Sequence, residues 1–269
     1  MYNEASAEQK QYLRALRTDK IRINIIRAAL LVFLLALWEI AADLRWIDPF
    51  IMSQPSRIVE TICSLYKSGD LMMHIGTSCY ETVVGFVFGT LIGTVIAIIL
   101  WWSDTCAKVL EPYLVILNAL PKVALGPIFI VWVGAGTGAI IVMTLAISLI
   151  VTILEVLNGL LATDKDKIKL LVTMGASKRQ ILTKVVLPTN IPTIVNSLKI
   201  SVGLSWVGVI MGEFLVSRSG LGYLIVYGAQ VFQMDVVMSS VIILAIAATL
   251  MYQIVVIIQK KFNLERSNV

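Results

Sequence analysis

The chain has 269 residues, 58% hydrophobic and 14% charged, against about 45–50% apolar and about 25% charged in an ordinary soluble domain. A water-soluble fold of this length could not hide so much apolar surface, so composition excludes a soluble enzyme or binding module. The formal net charge of +5 is gathered mainly in the first 27 residues, a central island and the C-terminal tail, a pattern that fits a membrane surface and is not a nucleic-acid signature.

Charge-free runs at Thr82–Trp102, Val123–Leu154 and Val236–Gln259 are each long enough for a bilayer-spanning helix, which takes roughly 20 apolar residues. The fold class is therefore all-α, a polytopic membrane protein with about six transmembrane helices. Cys63, Cys79 and Cys106 stand at unrelated spacings and read as incidental thiols, and the single histidine, His74, excludes a multi-histidine metal site.

Residues 1–24 form a polar arm, followed by a first span over Ile25–Ala42 with Arg27 snorkelling to one surface. A cleaved signal peptide is a poorer reading, because the polar lead is long and Glu39 interrupts the apolar stretch. From Asp43 to Gly76 the chain turns polar, with turns at Asp48-Pro49 and Gln54-Pro55 and an amphipathic helix starting at Ser56; His74 reads as lying near an interface. The second span, Ser78–Trp102, places Gly85, Gly89 and Gly93 on one face, so another helix can approach closely, within one subunit or across a dimer interface. Glu81 is expected at its outer end, where it need not be buried.

The third span, Leu110–Val133, carries Pro112, Pro121 and Pro127 with Lys122 among them, and interior prolines predict a bent or partly unwound helix. A glycine-rich outer turn, Gly134–Gly138, leads into the fourth span, Ile140–Leu160. The fifth, Ile191–Leu215, opens at Pro192 and holds Lys199, Ser205 and Glu213; single charges inside a span usually face protein or water. Residues 218–235 are too short to cross and read as a re-entrant or surface helix on the outer side. The last span is Val236–Ile258, followed by a tail at 261–269.

Residues 163–188 form the island, TDKDKIKLLVTMGASKRQILTKVVLP, with six basic and two acidic residues. Its grammar is two short helices broken at Gly175. Thr163 with Asp166 predicts a capping box for the first, Ser177 with Gln180 one for the second, and Pro188 a stop at Leu187. Island, N-terminal segment and tail all carry a basic excess, while Asp43–Gly76 has three basic and four acidic residues. The positive-inside rule then puts both termini and the island in the cytoplasm.

Gly175, followed ten residues later by Val185-Val186-Leu187-Pro188, resembles the cytoplasmic loop of bacterial ABC importer permeases, whose pattern is E-A-A-x₃-G and then I-x-L-P. The front half departs from it, since Lys169-Leu170-Leu171 stands where the acidic-Ala-Ala is usual. Three further segments resemble the nitrate, sulfonate and taurine permease branch. They are Ile51-Met52-Ser53-Gln54-Pro55, Leu120-Pro121-Lys122 through Pro127 to Gly134, and Ser205-Trp206 through Gly212-Glu213 to Gly220-Leu221-Gly222-Tyr223.

The resemblance implies a type I ABC importer permease fold over residues 25–260, in the inner membrane of a bacterium. It implies import of a small anionic or zwitterionic solute, nitrate-, sulfonate- or taurine-like, by a non-catalytic subunit. The chain has no G-x-x-x-x-G-K-[ST] loop, so ATP and Mg would be bound by a separate ATPase and no cofactor by this chain. Implied partners are two ATPase subunits, an extracytoplasmic solute-binding protein and a second copy of this chain.

On that reading Met174, Gly175, Ala176, Ser177, Lys178, Arg179, Ile181, Leu182, Leu187 and Pro188 form the ATPase-coupling site. Met174, Ile181 and Leu182 would supply apolar contact, and Lys178, Arg179 and Lys184 would pair with acidic groups or serve only as inward-facing positive charge. Asn118, Lys122, Ser148, Lys199 and Ser205 would line or border the path. An ion-gradient-driven secondary transporter is the alternative from another class. It calls for an internal repeat and a carboxylate within the membrane, whereas no repeat is evident and Glu39, Glu155 and Glu213 lie near span ends.

Overall fold

The computed structural model describes residues 7–266, with side-chain surroundings for residues 18–260. All regular structure among them is helical. Residues 1–6 of the arm and 267–269 of the tail lie outside the described residues. Helix α1 (Ala7–Asp43) continues unbroken across the boundary expected between arm and first span. Next come α2 (Pro49–Met52), capped by Asp48, and α3 (Pro55–Ser68), in which Pro55 takes the first turn, where its missing N–H costs nothing.

Helix α4 (Asp70–Trp102) starts eight residues before the expected Ser78, because Gly69, at φ +82, turns the chain directly from α3 into it. Then follow α5 (Asp104–Ala119), a 3₁₀ turn at Lys122–Leu125, α6 (Gly126–Val133) and α7 (Thr137–Leu161). The rest comprises α8 (Lys165–Thr173), α9 (Lys178–Ile181), a π turn at Leu182–Val186, α10 (Leu187–Val216), α11 (Leu221–Gln230) and α12 (Met234–Arg266).

Among the described residues, five helical stretches are long and apolar enough to cross a membrane. Helices α5 and α6 qualify only as a pair meeting at an 86° bend, and counted as one broken span they give the expected six. Pro121 is the cause, since it can neither donate to the α5 carbonyls nor fit the next helical turn.

The core is built from α4, α7 and α10. On α7, Thr144, Ser148 and Thr152 recur every four residues, and each hydroxyl bonds to the carbonyl one turn back. These three side chains fill the space left by Gly85, Gly89 and Gly93 of α4. The glycine stripe is thus consumed inside the subunit. Gly208 of α10 meets the other flank of Thr144, and Thr152 hydrogen-bonds Ser201 of α10 across 2.8 Å. By contrast α1 and α12 are largely uncovered by the rest of the chain, as lipid- or partner-facing helices are.

Three local expectations are corrected. The first island helix is capped by Asp164, whose carboxylate accepts from Asp166 N–H at 2.9 Å; Thr163 is instead drawn inward, where its hydroxyl accepts from Asn190 Nδ2 at 2.6 Å. Pro188 does not stop the second island helix. The π turn shifts the hydrogen bonds by one residue, Leu187 N–H reaching Leu182 O, so that Pro188 enters as an early residue of α10 and the chain stays helical from Lys178 to Val216. Glu81 is fully buried, as is Glu213 at 2% exposure, because α11 folds back over the ends of α4 and α10.

Candidate functional site

The island is an elbow of two helices with a defined hinge. Helix α8 ends in a Schellman motif: Gly175 N–H donates to Val172 O at 3.0 Å and Ala176 N–H to Leu171 O at 2.9 Å. The motif needs a left-handed residue, and Gly175 supplies it at φ +77. Directly after it, Ser177 forms the expected capping box. Its N–H donates to Gln180 Oε1 at 2.8 Å, and Gln180 N–H donates to Ser177 Oγ at 3.4 Å. Hinge and cap together fix the angle between α8 and α9.

The inner side of the elbow is welded to the core. Ile181, Leu182 and Val186 are buried with Ala97, Trp101, Leu157 and Leu160, and Ile168, Leu171, Ala176 and Leu187 pack against that cluster. Lys178 Nζ lies 5.8 Å from the Trp101 ring centre and 6.0 Å from that of Trp102, within cation–π range, so this basic residue also holds the elbow to the end of α4. A cavity of about 520 Å³ remains between elbow and bundle, lined by Trp101, Asp104, Leu161 and Lys165 among others.

This geometry divides the expected coupling residues. Met174 is 74% exposed at the apex, and Gly175, Ser177, Lys178 and Arg179 are exposed beside it. Ile181 and Leu182 are buried by their own chain and offer no surface to a partner, while Ala176, Leu187 and Pro188 are half-buried. The exposed apolar contact comes instead from Leu170 and Val172 of α8, which the sequence reading left out. Their signal was helical phase: Ile168 and Leu171 share the inward face, so Leu170 and Val172 point away from it.

The expected path residues separate further. Asn118 and Lys122 meet at the break between α5 and α6, where Lys122 Nζ donates to Asn118 O at 2.8 Å and to Asn118 Oδ1 at 3.3 Å. The ammonium thus takes a carbonyl that the proline break leaves without its backbone donor. Lys199 lies elsewhere, in a groove of about 480 Å³ between α10 and α12 with Trp206 and Tyr252. Ser148 and Ser205 are wholly buried and line no surface of this chain; Ser148 packs against Gly89 of α4 and donates to Thr144 O, while the Ser205 hydroxyl has no hydrogen-bond partner among the described residues.

Comparison with known proteins places this architecture. Residues 89–265 match a family model described as "Binding-protein-dependent transport system inner membrane component". The putative aliphatic sulfonates transport permease protein SsuC of Bacillus subtilis (strain 168) is 28% identical over 228 residues, 85% of this chain and 83% of that protein. The taurine transport system permease protein TauC of Escherichia coli (strain K12) is 26% identical over 227 residues, 82% of each. Among solved structures, a bacterial ABC transporter involved in the import of the acidic polysaccharide alginate superposes with a TM-score of 0.63 at 14% identity, over 93% of this chain and 99% of that one, a likeness of fold.

Proposed function

Since the chain belongs to the family of binding-protein-dependent transport system inner membrane components, as the non-catalytic permease subunit of an ABC importer, we propose that its elbow, residues 163–188, is the surface its separate ATPase grips. The observation that carries this reading is the rigid hinge at Gly175, which presents Met174, Leu170, Val172 and the basic Arg179 outward while α9 runs on into a membrane helix. A short helix that is stiffly joined to a span can pass a partner's closure into the membrane as a rigid-body movement. Ser177 and Lys178 brace the elbow, and Ile181, Leu182, Leu187 and Pro188 transmit its position to α10.

Two copies of the chain would enclose the path, with two ATPase subunits holding ATP and Mg below and a solute-binding protein above. Both termini and the elbow would then face the cytoplasm, in keeping with their basic excess. The solute is a small anion or zwitterion of the sulfonate class. Supporting this are the names of the relatives and Lys122, whose ammonium stands at the membrane break with donor capacity beyond its two bonds to Asn118.

The permease expressed with an ABC ATPase from the same genome tests the reading. Expected is a complex that survives purification and takes up an alkylsulfonate into vesicles only with ATP and binding protein. Undiminished uptake in vesicles that lack both ATP and ATPase would sink it.

A further inference from the structure

The N-terminus of α11 is buried, and side chains of two other helices satisfy it. The first N–H groups of a helix have no partner within it. Here Gly220 N–H donates to His74 Nδ1 at 2.9 Å, Leu221 N–H to Ser78 Oγ at 2.8 Å and Gly222 N–H to Glu213 Oε2 at 2.5 Å. Tyr223 N–H also faces the Glu213 carboxylate. The Ser78 hydroxyl in turn donates to Glu213 Oε1 at 2.5 Å, closing a ring of contacts among α4, α10 and α11. His74 stacks on Tyr223, with ring centres 5.9 Å apart.

The cradle fits closely. Gly220, at φ +114, and Gly222 lie so near Glu213 that a Cβ on either would collide with it. Glu81, three residues beyond Ser78 on α4, is completely buried with neither oxygen in a well-formed hydrogen bond, and Glu213 and Thr137 are its polar neighbours. No lysine or arginine pairs with either carboxylate among the described residues. Glu213 is held instead by the Ser78 hydroxyl and by the N–H groups at the start of α11.

Glu213 stands near one end of a helical rod whose other end is the elbow. The stretch from Lys178 to Val216 is 39 residues, or about 58 Å at 1.5 Å per residue. Along the way α10 is held against α7 by close contacts at Gly208 with Thr144 and Gly212 with Ile140. The π turn and Pro192 lie close to the elbow, and beyond them α10 runs without a break to Glu213, so a shift of α10 as a whole carries the carboxylate that holds α11.

We propose that Glu213 is a positioning residue that passes movement of the elbow to the N-terminus of α11, so that α11 shifts against α4 when the ATPase closes on the elbow. The proposal rests on the reading of the elbow as the ATPase contact. Through its bonds to Gly222 and Ser78, Glu213 sets where α11 begins, and a shift of α10 carries α11 against α4. Because α11 is only ten residues long and joins α10 to α12 through short turns, it moves with its cap and not independently.

The test uses the complex with its ATPase in lipid vesicles and needs no solute. In a background with Cys63, Cys79 and Cys106 replaced by alanine, a cysteine replaces Tyr227, which is exposed on α11, and its maleimide labelling is timed with and without ATP plus vanadate. Trapping is expected to change the rate by about fivefold or more, as for a segment whose population shifts between two states. Glu213→Gln, which leaves one acceptor oxygen where the carboxylate offers two, is expected to reduce that change to less than about twofold while ATPase turnover per complex stays within about twofold.

A merely structural role would lower the amount of complex and its turnover together and leave the response of surviving complexes intact. A Glu213→Gln complex with the full response overturns the proposal, and so does a parent whose Tyr227→Cys rate ignores nucleotide. If Glu213→Gln fails to assemble, Ser78→Ala decides by the same readouts, since it removes the hydroxyl that bridges Glu213 and Leu221. Absence of any ATPase association in the parent would instead remove the reading of the elbow, a separately visible failure.

Discussion

Asn190 Nδ2 donates to Thr163 Oγ1 across 2.6 Å, tying the start of α10 to the residue just before the N-cap of α8. The same amide donates to Val186 O at 2.9 Å, so Asn190 bonds both the entrance of the elbow and the last residue of its π turn. Both residues are buried, and a buried amide that loses its acceptor costs about 1–3 kcal/mol. Asn190→Ala is expected to destabilise the purified permease by about 2 kcal/mol and Thr163→Val by about 1 kcal/mol. Combined, they should cost less than their sum, because they share one bond. Thermal unfolding in detergent of the two single variants and the double one measures this, and strict additivity would mean the bond carries no energy.

A second prediction concerns how the bundle closes. A Cβ at Gly89 would strike Ser148 Oγ, which is itself buried and bonded to Thr144 O. Gly89→Ala should therefore destabilise by about 1–3 kcal/mol, the usual cost of overpacking. Ser148→Ala removes the atom it strikes and should recover most of that loss in the double variant. Recovery seen in the unfolding temperature of the isolated permease would place the contact within one chain, whereas no recovery would contradict the α4–α7 packing.

Gly175 carries the third prediction. Its φ of +77 cannot be reached by proline, which is locked near −65°, and its N–H is needed by Val172 O. Gly175→Pro should abolish the Schellman turn and lower ATP-driven uptake by about tenfold or more, while expression and membrane insertion, which depend on the spans, stay normal. Gly175→Ala, strained by only about 1–2 kcal/mol in the left-handed region, should lie between the two. Uptake assays beside membrane-fraction immunoblots measure both effects, and normal uptake in the proline variant would remove the hinge from the mechanism.

The elbow was legible because local rules wrote it. Gly175, Ser177 and Gln180 act through neighbours within four residues, so sequence spacing alone exposes them. Thr163 misled for the opposite reason: its spacing to Asp166 matched a capping box, but the bond it makes is to Asn190, 27 positions away. The same holds for Glu81 and Glu213, which look like span-end acids until α11 folds back and buries them. Pro188 failed as a stop signal because a π turn can absorb a missing N–H, and no single residue announces a π turn. Ile181 and Leu182 could not be assigned to partner or core from sequence, since an amphipathic helix shows which face is apolar but not what covers it.

The last prediction tests whether Lys122 serves the solute or only the helix break. Its ammonium already bonds Asn118 O and Oδ1, so removal of the charge has two separable consequences. Lys122→Gln keeps a side-chain donor that can still reach the end of α5, but it presents no positive charge to an anion. If the ammonium meets the solute, ATP-driven uptake of an alkylsulfonate should fall by about tenfold, the scale of one lost charge-assisted hydrogen bond. The basal ATPase rate of the complex should stay within about twofold, because the elbow and its packing are untouched. Asn118→Ala frees the ammonium from its second bond without altering charge, and uptake in that variant should remain within about threefold. Equal and severe losses in both variants, with a fall in unfolding temperature, would show that Lys122 and Asn118 hold the 86° bend between α5 and α6 and nothing more.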